Sequence, residues 1–401
     1  MAAKPSSALS SGPLHGIKIL DLSRVLAGPV ATQILGDLGA DVMKIERPGS
    51  GDDTRAWGPP FLKDAGGKDT SESAYYLSAN RNKRSFAIDI TTKQGQAHIH
   101  DLLRDCDILI ENFKVDGLKK YGLSYDDLKD RYPRLIYCSI TGFGQTGPLA
   151  HEPGYDFMIQ AMSGLMANTG AADQPPTKTG VAVCDYVTGL YAVIGITSAL
   201  HARQITGRGQ QVDLALLDCT LAMLTNIAQY TLTTGKNPPR VGNAHTTIVP
   251  YQAFEASDGW VVIAVGNDSQ FARLAAVMEH PEWASDARFA TNAARVQHRD
   301  ILVPLMAEEI KTRPAQDWLQ AFLEHDIPHG PVNTLTQTFD LEQVAAREMV
   351  VEMPHPYSPN PVKLVGSPLK LSDTPVTYRL APPPIGFGGD MTSATTPQEK
   401  E

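Results

Sequence analysis

The chain has 401 residues, 42% of them hydrophobic and 20% charged, with a net charge of -9 at pH 7. That is the make-up of a globular protein long enough for two domains, and the acidic balance excludes a general nucleic-acid footprint. From residue 14, short runs rich in β-branched residues alternate with helical patterns. Strands are predicted at 16–23, 41–46, 85–90, 106–111 and 134–140, and helices at 28–38, 93–105, 124–131 and 155–167. This alternation is the signature of βαβ units on a parallel sheet, with ligands at the carboxyl ends of the strands.

The run from Gly180 to Gly195 reads as a strand turning into a long helix rich in small residues, with Asp185 at the junction. A carboxylate there is expected to be held ionised by the free N–H groups of the first turn and by the helix dipole; the plain alternative is an N-cap that only closes the helix end. A further strand at 210–216 follows the turn Thr206-Gly-Arg-Gly209 and leads into a helix after Asp218. Predicted boundaries are a large domain over 14–228, a linker over 229–245, a small α/β domain over 246–335, a return to the large domain over 336–380 and a disordered tail over 381–401. Within the small domain, 251–254 and 260–265 read as a hairpin about Asp258-Gly259, with helices at 268–278 and 298–326.

Four cysteines, Cys106, Cys138, Cys184 and Cys219, are widely spaced without a C-x-x-C pair, which argues against a disulfide framework or a metal site and suits a reducing, cytoplasmic compartment. The first 13 residues carry one charged side chain, Lys4, and lack the apolar core of a secretion signal. No stretch reads as the roughly 18 to 20 apolar residues of a membrane helix, because 185–200 is interrupted by Asp185, Thr188, Gly189 and Gly195. Gly142-Phe-Gly144-Gln-Thr-Gly147 matches the dinucleotide fingerprint, yet Pro148 follows at once and no helix is predicted to receive a pyrophosphate, so the run reads as a substrate loop.

Six segments together carry a family resemblance: Leu20-Asp-Leu-Ser-Arg-Val-Leu-Ala-Gly-Pro29, Leu38-Gly-Ala-Asp-Val-Met-Lys-Ile-Glu-Arg-Pro48, Asn82-Lys-Arg-Ser85, Glu111-Asn-Phe113, Thr206-Gly-Arg-Gly-Gln210 and the run around Asp185. Over roughly 14–375 the chain resembles the family III coenzyme A transferases. The resemblance implies a Rossmann-like large domain with a smaller α/β domain, two ring-like chains interlocked as a homodimer, and Asp185 as the nucleophile. It also implies acyl-CoA and a small carboxylic acid as substrates, with no permanently bound cofactor. The dicarboxylate branch of the family matches best, implying a succinyl-CoA donor and an acceptor such as glutarate.

Further site residues are expected around this nucleophile. Arg47, Asn82, Lys83 and Arg84 stand near carboxyl-end loops where cations meet the coenzyme's phosphates, and Val25, Asn112 and Phe113 are assigned to the rest of the coenzyme. A dicarboxylate's second carboxylate calls for a cation, with Arg24 first and Arg55 second, and Leu26 stands where the formyl-CoA enzymes carry glutamine. The loop Gly242–Pro250, carrying His245 and Thr246, takes the place of a glycine lid and is the expected source of oxyanion donors. Two other readings stay open: an α-methylacyl-CoA racemase, for which Gly154-Tyr155-Asp156 lacks the usual histidine, and a non-catalytic acyl-CoA binding protein.

Overall fold

A six-stranded sheet forms the centre of the first of two compact units in the computed structural model, which describes residues 12–388. In chain order its strands and one side hairpin are β1 (Lys18–Asp21), β2 (Asp41–Glu46), β3 (Phe61–Lys63), β4 (Asp69–Ser73), β5 (Lys83–Ala87), β6 (Ile108–Glu111), β7 (Ile136–Thr141) and β8 (Gln211–Ala215). β3 and β4 pair only with each other. The other six run parallel in the order β5-β2-β1-β6-β7-β8. Counting sheet members alone, that is the 3-2-1-4-5-6 order of the doubly wound fold, with its reversal between β1 and β6.

Alternation along each strand feeds two cores. Ile19, Val42, Ile108, Ile110 and Ile136 face one side, together with helices α1 (Ala27–Asp37) and α4 (Val183–Thr206). Leu20, Met43, Leu109 and Tyr137 face the other, with α2 (Lys93–Leu103). Each fully buried aliphatic side chain contributes about 1.5–3 kcal/mol. Two shorter helices, α3 (Asp156–Met162) and α5 (Leu216–Met223), complete the surroundings of α4. Gly189 lets α4 approach α1, since a Cβ there would lie 2.8 Å from the carbonyl oxygen of Ala27.

Three expectations change here. The run entering α4 is a loop rather than a strand: 179–182 has no sheet partner, and the helix begins at Val183. The predicted helix 155–167 is broken in two, Asp156–Met162 and Leu165–Asn168, around Gly164, whose φ is +87°. And α4, at 24 residues, is by length and composition long and apolar enough to cross a membrane, its glycines and hydroxyls notwithstanding. Its stripe Ala192–Ile196–Ala199–Leu200 is buried in the sheet's core.

The second unit comprises Met166–Lys178 and Gln229–Glu342. Its sheet, β9 (Tyr251–Glu255), β10 (Trp260–Ala264) and β11 (His329–Pro331), is antiparallel in the order β11-β10-β9. Helices α6 (Asp268–Val277), α7 (Arg299–Ile310) and α8 (Ala315–Glu324) close a separate core with Val261, Ile263, Phe271, Met306, Trp318 and Phe322. The predicted single helix 298–326 is two: α7 runs through Pro304 and ends at Ile310, and Pro314, which has no N–H to donate back to the Ile310 carbonyl, stands at the start of α8.

The chain then returns to the first unit as the hairpin β12 (Val350–Met353) and β13 (Val362–Val365). Of the tail expected to be disordered over 381–401, residues 381–388 pack against the sheet edge: Pro382, Pro383 and Pro384 are buried, and the Gly386 N–H donates to the Ser85 hydroxyl at 3.0 Å. The remaining residues, 389–401, lie outside the described residues.

Buried ion pairs hold this unit together. Arg55, 3% exposed, donates to both oxygens of Glu46 (2.8 and 2.7 Å), to Glu72 and to the carbonyl of Pro383 (2.9 Å), and stacks over Tyr76 with 3.7 Å to the ring centroid. Arg81 pairs with Asp37 in the same way. Removing one member strands the others without solvent. Arg55→Ala is therefore expected to destabilise the protein by about 3–5 kcal/mol, read as a lower urea midpoint; an unchanged midpoint would refute this role.

Candidate active site

The chain leaves β1 through the turn Ser23–Leu26 and leaves β6 through Asn112–Phe113, so the two connections diverge where the strand order reverses. There a cavity of about 730 Å³ opens, lined entirely from the first unit. Of the residues named from sequence, it gathers Arg24, Val25, Leu26, Asn112, Phe113 and Asp185. Arg47 lines a neighbouring hollow of about 150 Å³ that shares Arg24 and Phe113 with the larger one.

Asp185 is the third residue of α4 and is half-buried in the cavity wall. The helix-end N–H groups expected to hold its carboxylate are taken by another residue: Asp156 Oδ1 accepts from the backbone N–H of Cys184 at 2.8 Å and of Asp185 at 3.4 Å. Asp156 Oδ2 accepts from the Gln160 amide at 2.6 Å, and Gln160 in turn accepts from the Thr179 N–H at 2.9 Å. Asp156 thus caps α4 from a different helix and presents a second negative charge to the site. Burial, and then Asp156, raise the Asp185 carboxyl to about 7, the reverse of the depression expected from the helix dipole. Facing it, the Tyr75 hydroxyl is pushed up to about 12 by burial and by the charges of Asp185, Asp156 and Asp52, with its ring edge-on to Trp57 at 5.2 Å.

Several expected ligand contacts are internal instead. Lys83 is 1% exposed and donates to the Pro29 carbonyl and the Asn80 side chain at 2.9 Å, with Asp21 at 3.4 Å; burial lowers its ammonium to about 7. Asn82, 2% exposed, bonds Asp37 and the Thr377 carbonyl at 2.7 Å and accepts from the Arg379 N–H, latching the returning chain to the sheet edge. Arg84 forms a two-pronged pair with Asp41, and Arg55 is the internal cross-link described above. Lys83, Asn82 and Arg55 spend their donors on these internal partners, whereas the partly exposed Arg84 is held to Asp41 through Nε and Nη2. The Asn112 side chain is likewise engaged with the backbone of Arg24 rather than turned to a ligand. Arg24 pairs with Asp53 at 2.6 Å and lies over Phe113, while its Nε is buried without a partner.

His245 and Thr246 stand in the second unit, half-buried, their carbonyls fixed by Arg299 at 3.1 and 2.9 Å; the His245 ring packs on Tyr251. The residues missed from sequence are Asp156, Tyr75, Trp57, Lys114 and Lys120. A signal for Asp156 was present in the glycines. A Cβ on Gly142 would sit 2.5 Å from the Cα of Gly154, and one on Gly154 would sit 2.2 Å from the Cα of Gly142. The apparent dinucleotide fingerprint is therefore a backbone crossing that sets Tyr155 and Asp156 beside Asp185.

With Asp156→Asn the side-chain oxygen still caps α4 but its charge is gone. The Asp185 carboxyl is expected to titrate below about 7 in the variant, moving toward its ordinary value near 3.8; carbon NMR of labelled aspartate reads this directly. A titration unchanged by the substitution would refute the coupling.

Comparison with known proteins agrees with this architecture. The model of CoA-transferase family III matches residues 14–388. The chain is 46% identical to the succinate–glutarate CoA-transferase of Agrobacterium fabrum, over 93% of each chain, and 44% identical to the succinyl-CoA:glutarate CoA-transferase of Mus musculus, over 94% of this chain and 85% of that one. A crystal structure of a CaiB/BaiF family protein from Brucella suis superposes with a TM-score of 0.85 at 46% identity, covering 94% of this chain and 98% of the other. The protein is a CoA-transferase, a member of CoA-transferase family III.

Proposed function

We propose that the protein moves coenzyme A from succinyl-CoA to a dicarboxylic acid such as glutarate, with Asp185 as the covalent nucleophile. The observation that carries the mechanism is the position of Asp185: its carboxyl lines a coenzyme-sized cavity at the strand-order reversal, beside a capping carboxylate that raises its basicity. The substrate pair rests on the names of relatives at 46% and 44% identity.

The steps balance without an external reagent. An Asp185 oxygen attacks the thioester carbonyl carbon, the C–S bond breaks, and coenzyme A leaves as its thiolate, giving a mixed anhydride. The thiolate attacks the aspartyl carbon, releasing the donor acid and forming an aspartyl thioester. The acceptor carboxylate then attacks that carbon, expels the thiolate, and is itself attacked by the thiolate to give the new acyl-CoA and free Asp185. A thioester carbonyl has little resonance protection, so a positioned, partly desolvated carboxylate suffices as nucleophile. A carboxyl near 7 is more basic than an ordinary aspartate, which strengthens attack above that pH and leaves the group protonated below it.

Arg24, Lys114 and Lys120 in the wall of the larger cavity, and Arg47 in the adjoining hollow, provide cations for the coenzyme's phosphates or the acceptor's distal carboxylate. Incubation with succinyl-CoA followed by hydroxylamine is expected to mark Asp185 by mass, and Asp185→Ala or Asp185→Asn to abolish transfer with the fold intact. Transfer without any mark at Asp185 would overturn the mechanism, and absence of transfer would favour a binding protein. Among acceptors, glutarate and other dicarboxylates are expected to exceed oxalate and carnitine; the reverse order would overturn the substrate reading.

The active form is a homodimer in this proposal. Tyr186, Leu190 and Ile194 leave an apolar strip of α4 exposed, at 45, 39 and 57%, which favours a covering partner. Sedimentation at micromolar concentration is expected to give twice the 43.4 kDa chain mass; a single-chain mass would refute it.

A further inference from the structure

The turn from Ser23 to Leu26 forms one wall of the cavity, and Val25 within it has a φ of +71°. A β-branched residue rarely adopts this left-handed conformation, because its Cβ crowds the neighbouring carbonyl, and it persists only where the surroundings enforce it. Here the backbone is held at three successive residues by side chains from elsewhere. The Ser23 carbonyl accepts from Lys44 Nζ at 3.0 Å. Arg24 is gripped at both ends: its N–H donates to Asn112 Oδ1 at 2.9 Å, and its carbonyl accepts from Asn112 Nδ2 at 2.7 Å. The Val25 N–H donates to Asp52 Oδ1 at 3.3 Å, and the other Asp52 oxygen accepts from Lys44 at 2.9 Å.

We infer that Asn112 and Asp52 are positioning residues for coenzyme recognition, which hold Val25 in its left-handed conformation so that the Arg24–Leu26 turn keeps the shape of the cavity wall. The inference rests on the cavity being the coenzyme site. Asn112 acts through the Arg24 backbone, since both ends of its amide are engaged there. Lys44 links the two restraints by touching Ser23 and Asp52 at once. Gly28 allows the turn to fold back on α1, where a Cβ would lie 2.3 Å from the Ser23 side chain.

Glycine provides the test, because it takes a positive φ without steric cost. Asn112→Ala is expected to weaken coenzyme A binding, measured by calorimetry, about tenfold, and the double variant Asn112→Ala with Val25→Gly to recover most of that loss. Asn112→Asp, which keeps the acceptor for the Arg24 N–H and loses the donor to its carbonyl, is expected to fall between wild type and Asn112→Ala. A side chain that merely stabilised the fold would lower the melting temperature with no recovery of affinity on adding glycine. Unchanged affinity in Asn112→Ala, or a double variant no better than the single, would overturn the inference. Binding is read without turnover, so failure of the aspartyl mechanism would leave this result standing.

Discussion

The pair of Lys44 and Asp52, both fully enclosed at 2.9 Å, joins the sheet to the turn that walls the large cavity. Lys44 belongs to β2, whereas Asp52 opens the loop that runs on to Trp57. Burial alone would raise the Asp52 carboxyl, but the Lys44 ammonium and the Thr54 hydrogen bonds outweigh it and hold the group near 2. The carboxylate therefore stays charged at any ordinary pH and can fasten backbone as well as neutralise a cation. Such a pair is a weak source of net stability, since removing two ions from water offsets much of their attraction. Its effect is to fix geometry: it ties one strand's carboxyl end to the turn that follows its neighbour.

Asp185 occupies the opposite electrostatic situation. Asp52 is compensated, while Asp185 faces another carboxylate and has no cation within ion-pairing distance among the described residues. One acid is held permanently ionised to maintain shape, and the other is kept near its titration point. This difference between the two carboxyl groups follows from who their neighbours are, because the side chains are chemically identical.

The sheet was legible because β1, β2, β6 and β7 are short segments rich in isoleucine, valine and leucine set between helical patterns, and β2 spans the predicted 41–46. The βαβ rhythm and the 258–259 hairpin turn are also properties of local sequence. Less legible were β3, β4, β12 and β13, short strands whose partners are supplied only after folding. At the site, Asp185 stood out through its family segment, yet its electrostatics could not be read from the helix it begins. Asp156, 29 positions earlier, takes the helix-end donors. Cations were the hardest to assign. Lys83, Arg84 and Arg47 look alike as letters in a loop, and only their surroundings separate a buried ammonium bonded to Asn80 and Pro29 from a solvent-facing guanidinium.

The contact of Gly142 with Gly154 constrains how such an enzyme can change. Two stretches of main chain touch at their α-carbons, so neither position accepts any side chain unless the strands of the crossing move apart, and alanine at one cannot be compensated by a smaller residue at the other, since none exists. Side-chain variation in this part of the cavity wall is therefore left to neighbouring positions such as Tyr155. The crossing that sets Asp156 over the first turn of α4 is thereby a fixed hinge-pin of the cavity wall.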